Sequence, residues 1–168
     1  MDVAQLNFDK KGRENSRRCS MRFTTKTEYG LVCLIYMAKQ KDLKFDPITV
    51  KELASAENFS LTYTEKIFQT LRSANIVTSQ HGNQGGYVLA RQPSEITLRE
   101  VIEALEGHTF DVFCEPDTRK EITCTHYPLC GIKPLWEKTK GLLDRFYDQI
   151  TLDMLSKNII KDDVPITV

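Results

Sequence analysis

No apolar run in this 168-residue chain approaches the length of a membrane span, and no secretory hydrophobic segment follows its first residues. The expectation is a cytoplasmic protein with no membrane partner. No phosphate-cradling glycine loop, nucleophile–base constellation or paired-carboxylate motif stands out, so enzymatic readings have little support. No repeat of fixed period is visible. Net charge is missing as well, because 23 Lys and Arg balance 23 Asp and Glu, which argues against a uniformly basic nucleic-acid coat. Cysteines number only five, none in a Cys-x2-Cys pair. In a cytoplasmic chain they are better taken as thiols or metal ligands than as disulfides.

The balanced charge is unevenly spread. Residues 1–20 hold five Lys and Arg against three Asp and Glu, and residues 21–91 hold nine against six. Residues 92–168 hold nine against fourteen, so the first 91 residues carry +5 and the remainder −5. Residues 1–20, with Lys10-Lys11-Gly12-Arg13 and Arg17-Arg18, show no periodicity and are expected to form a disordered extension. Thr25 with Glu28 has the spacing of a capping box opening a helix through Tyr29, Val32, Ile35 and Tyr36 to Gln40. Cys33 on that helix is expected to pack as a small hydrophobe.

Within the basic part, Thr49 to Ala54 opens with a second Thr-x-x-Glu box, and Asn58-Phe59-Ser60 makes a tight polar turn. A helix then follows from Ser60 to Arg72, with Ile67, Phe68 and Leu71 on one face. Thr62 and Glu65 have capping-box spacing here too, and Ser60, Thr62, Tyr63, Thr64 and Lys66 are expected to face away from the core. Ile76–Gln80 and Tyr87–Ala90 flank the glycine-rich turn 81–86, which predicts a hairpin. Helix, turn, helix and glycine-tipped hairpin in this order match a recognition helix with a wing, the helix N-terminus entering a DNA major groove. The competing reading is a helix and hairpin that merely pack together.

After a turn at Gln92–Glu95, Thr97 with Glu100 starts a helix carrying Val101, Ile102 and Leu105 and closed by Gly107. Residues 108–133 lose periodicity. Pro134 suits the first turn of a long final helix, on which Leu135, Thr139, Leu142, Phe146 and Ile150 form one stripe. So long an apolar face at the end of a small domain predicts a dimer helix over 134–150. Thr151 to Lys157 has the pattern of a short capped helix. The expected fold class is mainly α with a small β-hairpin wing, a winged helix-turn-helix plus a long C-terminal dimerisation helix. The expected division is 1–20 extension, 21–107 DNA-binding domain, 108–133 cysteine-containing sensor loop, and 134–168 dimerisation helix and tail.

Cys114, Cys124 and Cys130 lie in the aperiodic loop at spacings that allow three thiolates to converge. Soft thiolates favour iron–sulfur clusters, zinc or copper(I), and the lack of Cys-x2-Cys knuckles leans toward a cluster. The alternative is three incidental cysteines.

With these pieces in order, the chain resembles the Rrf-type winged-helix transcriptional regulators, including the IscR-like and NsrR-like iron–sulfur regulators. The resemblance runs from Met21 to Lys157. It is carried by Met21-Arg22-Phe23-Thr24, Ser60-Leu61-Thr62-Tyr63 with Glu65 and Lys66, Leu71-Arg72, Gly85-Gly86-Tyr87-Val88-Leu89, Ile96-Thr97 through Glu103, the three-cysteine loop, Leu135-Trp136 and Ile150-Thr151-Leu152. It implies a homodimer on pseudo-palindromic, double-stranded promoter DNA, with Ser60, Thr62, Tyr63, Glu65 and Lys66 facing the major groove. At the wing it implies contacts from Gly85, Gly86 and His81, the last standing where the family often has arginine. It also implies an iron–sulfur cluster, of two-iron or four-iron form, on Cys114, Cys124 and Cys130. IscR-like members complete the site with a histidine where this chain has Lys133, whereas NsrR-like members use a carboxylate of the other subunit, here matched by Glu28. His126 is a further candidate ligand, and Glu28 has the competing role of helix cap. Two other functions stay open: a metal-free thiol sensor of the same fold, and a winged-helix protein-interaction module.

Overall fold

The computed structural model describes residues 23–40, 47–82, 85–110 and 130–160. Six helices and one hairpin make up these segments. Helix α1 spans Thr25–Gln40, α2 Val50–Ala56 and α3 Leu61–Ser73; strands β1, Val77–Gln80, and β2, Gly86–Leu89, follow. A 3-10 turn at Pro93–Glu95 leads to α4, Leu98–Glu106, then α5, Lys133–Gln149, and α6, Leu152–Ser156. The mainly helical architecture with a two-stranded antiparallel wing is the one expected.

The core gathers one face of each element. Leu34 of α1, Leu53 of α2, Ile67, Phe68 and Leu71 of α3, Val77 of β1 and Val101 of α4 have no exposed surface. Cys33 is among them, and burial, with the Glu57 charge adding, pushes its thiol up to about 12, so it acts as an inert apolar group. Leu152 of α6 is also fully buried in this cluster. The segment after α5 is held there by a bridge, with Leu98 N–H donating to the Ile150 carbonyl at 2.8 Å and Leu152 N–H to the Ile96 carbonyl at 3.0 Å.

Three helices end on one device. Asn58, Asn75 and Asn158 take positive φ of 55°, 57° and 54°, a conformation asparagine tolerates better than most residues. The next residue in each case, Phe59, Ile76 or Ile159, donates its N–H to a carbonyl five positions back, at Ala54, Leu71 or Met154. This is the Schellman closure, and the first of the three sets the turn between α2 and α3.

Helix starts depart from two of the expected capping boxes. Thr97 and Glu100 form a complete box, and Thr49 accepts from Glu52 N–H at 3.1 Å. Thr25 does not cap α1. Its helix begins one residue earlier, with the Thr24 carbonyl accepting from Thr27 and Glu28 N–H, so Glu28 moves out of the N3 position. The cap is instead tertiary: Thr24 donates its N–H (3.0 Å) and hydroxyl (2.6 Å), and Thr27 its hydroxyl (2.5 Å), to Glu106 Oε1 at the end of α4. Nor does Thr62 cap α3, because Ser60 occupies the N-cap position and no side chain closes that end. Glu65 is thereby freed of a capping role.

Burial alone would raise the Glu106 pKa, but hydrogen bonds from Thr24 and Thr27 and the Lys26 charge outweigh it, and the carboxyl lies below its ordinary value. A depressed carboxyl stabilises the fold above the unfolded-state pKa of about 4.3, and that contribution is lost as pH falls through the lower folded value. Melting curves of wild type and Glu106→Gln should therefore differ at pH 7 and draw together as the pH falls from the unfolded-state value through the lower folded one. A gap that stays constant across this range would show that the charge is not what Glu106 contributes.

Candidate nucleic-acid interface and metal centre

The exposed side of α3 follows from the buried one. With Thr64, Ile67, Phe68 and Leu71 inside, positions 62, 65, 66 and 69 fall on the opposite side, while position 61 heads the buried stripe one turn ahead of Thr64. Leu61, Thr62, Glu65, Lys66 and Gln69 are all exposed, and Ser60 joins them at the N-cap. Thr64 departs from expectation: it is fully buried, and its hydroxyl donates to the Ser60 carbonyl at 2.9 Å. Tyr63 departs in part. It is half-buried, with its ring edge-on to Tyr29 at 5.9 Å, while Tyr29 stacks on Phe59 at 3.7 Å. The stripe therefore has one member, Gln69, beyond the residues expected from sequence, which the period-3.6 pattern would have found; Leu61 is exposed beside it only because it lies in the first turn.

The wing is anchored next to this stripe. β1 and β2 pair antiparallel from Val77↔Leu89 to Gln80↔Gly86. Ile48, just ahead of α2, extends the sheet, exchanging hydrogen bonds with Tyr87 at 2.8 and 3.0 Å. The exchange brings the Ile48 backbone so close that a Cβ on Gly86 would sit 2.6 Å from its carbonyl oxygen, so only glycine fits there. His81 is exposed at the end of β1, and Gly85 N–H closes back on the Gly82 carbonyl at 3.0 Å.

The candidate metal ligands are only partly covered. Cys114, Cys124 and His126 lie outside the described residues. Cys130 is a free, half-buried thiol three residues ahead of α5. Glu28 is exposed in the first turns of α1. Among the described residues, no three His, Cys, Asp or Glu side chains come together as a metal site. Lys133, where IscR-like members carry histidine, lies 3.5 Å from Glu137 in an ion pair. The near end of the loop is tied to α5: the Thr109 hydroxyl donates to Asp144, and Phe110 packs on Trp136 at 6.1 Å.

Helix α5 packs on α4 through polar contacts. Arg99 of α4 reaches Asp148 at 2.9 Å and Asp144 at 3.7 Å while also holding Glu103. No residue of α5 itself is buried, and Leu135 is 57% exposed. No described helix is long and apolar enough to cross a membrane.

The family described as Rrf2, iron-dependent transcriptional regulator, matches residues 23–158. The chain belongs to the Rrf2 family. It is 32% identical over 136 residues to the HTH-type transcriptional regulator CymR of Bacillus subtilis strain 168, spanning 81% of this chain and 90% of that protein. The solved structure of B. subtilis CymR, described as the global cysteine regulator, superimposes with a TM-score of 0.64 at 31% identity, covering 82% of this chain and 97% of the other. IscR of T. potens gives a TM-score of 0.61, also at 31% identity, covering 82% and 88%. Membership makes this chain a transcription regulator with a DNA-binding winged helix, and its relatives are named as regulators, not enzymes. The protein-interaction-module alternative falls away with it.

Proposed function

We propose that this Rrf2 regulator binds promoter DNA as a homodimer, and that Cys114, Cys124 and Cys130, with Glu28 of the partner subunit, hold an iron–sulfur cluster whose state sets DNA affinity. The observation that carries the DNA half is the exposed stripe of α3: hydroxyl, carboxylate and ammonium groups on one face, backed by a fully buried opposite face. Ser60, Thr62, Tyr63, Glu65 and Lys66 would meet base edges and phosphates, and His81, Gly85 and Gly86 the neighbouring backbone. Glu65 suits cytosine N4 as an acceptor.

Lys66→Ala tests it. If Lys66 reads a base, the variant should lose about 1–3 kcal/mol and relax specificity at one position. If it meets only phosphate, affinity should fall evenly across sequences and the salt slope should shrink by about one. Unchanged affinity and salt slope would remove Lys66 from the interface, and equal wild-type binding to promoter and random fragments would defeat sequence-specific recognition.

For the cofactor, the donor chemistry fits. Cys130 is free and partly accessible, and Glu28 carries no capping duty because Glu106 caps α1. When bound, an iron–sulfur cluster supplies sensitivity to oxygen, nitric oxide or iron supply. The residue after Glu28, Tyr29, stacks on Phe59 just ahead of α3 and meets Tyr63 within it. Movement of the first turns of α1 would thus pass through packed rings to the start of the recognition helix, provided the two states differ in DNA affinity. A second reading, a metal-free thiol sensor, is favoured by the equal likeness to CymR, and it keeps the same DNA interface.

A further inference from the structure

We propose that Leu61 is a specificity-determining residue of this regulator, reading the 5-methyl group of a thymine in the major groove. The proposal rests on the DNA reading of α3 given above. Leu61 is the first residue of α3 and 42% exposed, one of the few large apolar side chains on the surface of the described residues. It is not part of the core cluster, which takes Ile67, Phe68 and Leu71 from later turns of the helix. Nor does it belong to the unburied face of α5, which packs on α4 through Arg99. It sits instead in the exposed first turn between Ser60 and Thr62, one turn ahead of Glu65.

The exposed side chains around it, Ser60, Thr62 and Glu65, each offer a hydrogen-bond donor or acceptor, and Leu61 offers neither. On base edges in the major groove the thymine methyl is the one apolar group, so it is the feature a leucine can recognise. Contact would remove two apolar surfaces from water together, whereas a cytosine in the same place has only a hydrogen at C5 and offers no methyl to bury. The N-terminal position matters, because residues at the start of a recognition helix are the ones that reach base edges.

The operator sequence need not be known for the test. A duplex selected from a random-sequence pool by wild-type protein is resynthesised with uracil replacing thymine at one position at a time, which deletes only the methyl. Wild type should lose about fourfold in affinity at one thymine per half-site, the equivalent of one buried methyl. Leu61→Ala should bind the parent duplex more weakly by a comparable or larger factor and no longer distinguish thymine from uracil there. Leu61→Met, which keeps an apolar tip, should retain the distinction. Because Leu61 lies outside the core, the melting temperatures of both variants should match wild type. A wild type indifferent to uracil at every position, or a Leu61→Ala variant with an unchanged thymine–uracil profile, would overturn the assignment while leaving the DNA reading intact. Failure of selection to enrich any sequence would instead overturn the sequence-specific DNA reading, and this assignment with it.

Discussion

Replacing Leu142 and Phe146 with aspartate is expected to yield a folded monomer whose affinity for paired half-sites falls at least about a hundredfold. The reason lies in how α5 is held. Its 17 residues include Leu135, Trp136, Leu142, Leu143, Phe146 and Tyr147, yet none of its residues is buried within one chain. Its anchors among the described residues include Arg99 with Asp144 and Asp148, Thr109 with Asp144, and the Phe110–Trp136 and Phe23–Tyr147 ring contacts. None of these involves Leu142, and Phe146 touches them only through its neighbour Tyr147. New charges there should spare the fold but oppose burial against a second copy, since an unpaired carboxylate in an apolar interface is strongly disfavoured. Two winged helices linked in a dimer bind two half-sites as one event, and the monomer loses that effective concentration. Sedimentation at micromolar concentration and gel shifts on one- and two-site duplexes would measure both effects, with a melting curve as the folding control. A monomeric wild type, or a double variant that still sediments as a dimer, would remove the proposed interface from α5.

What could be read from the chain depended on whether local chemistry decided the outcome. The helix–turn–helix–wing order was legible because periodic apolar residues, the turn at Asn58 and the glycines at 85 and 86 all act over a few residues. The box at Thr97 held for the same reason. The starts of α1 and α3 were harder, because Thr24-Thr25-Lys26-Thr27 and Ser60-Leu61-Thr62-Tyr63-Thr64 each offer several possible caps. At α1 the choice is made by Glu106, 82 residues away from Thr24, which no local pattern announces. At α3 Thr64 turns inward because it lies one turn ahead of Ile67 and Phe68, while Leu61 stays exposed only as the first residue of the helix. The Asn-apolar closures at Asn58, Asn75 and Asn158 were present in the sequence and carry a local signal, asparagine followed by Phe or Ile. Docking of α6 was not legible: Leu152 enters a core built mostly by residues 33–105, and the long-range bridge between Thr97 and Thr151 helps to hold it there.

Cys130→Ala protein, purified without oxygen, is expected to be colourless and free of iron, whereas Cys33→Ala should keep whatever iron the wild type holds. The contrast follows from the two environments. Cys33 is fully buried and its thiol is pushed up to about 12, so it has neither access to a metal nor the thiolate needed to bind one. Cys130 is partly accessible and ends the loop that also carries Cys114 and Cys124, and losing one of three thiolates from a cluster removes a ligand that no described neighbour replaces. Lys133 offers no substitute, since an ammonium paired with Glu137 is a poor ligand. Glu28→Gln should alter the absorption spectrum or hasten iron loss without changing the melting temperature of the iron-free protein, because the cap of α1 belongs to Glu106 and not to Glu28. That separation is what makes the experiment informative: a spectral effect with unchanged apo-protein stability identifies a ligand, and a stability effect alone identifies a helix residue. If His126→Ala changes the spectrum while Glu28→Gln does not, the remaining ligand is His126. A colourless wild type that cannot be reconstituted with iron and sulfide, yet binds DNA in a thiol-dependent way, would replace the cluster with a bare-cysteine sensor on the same winged helix.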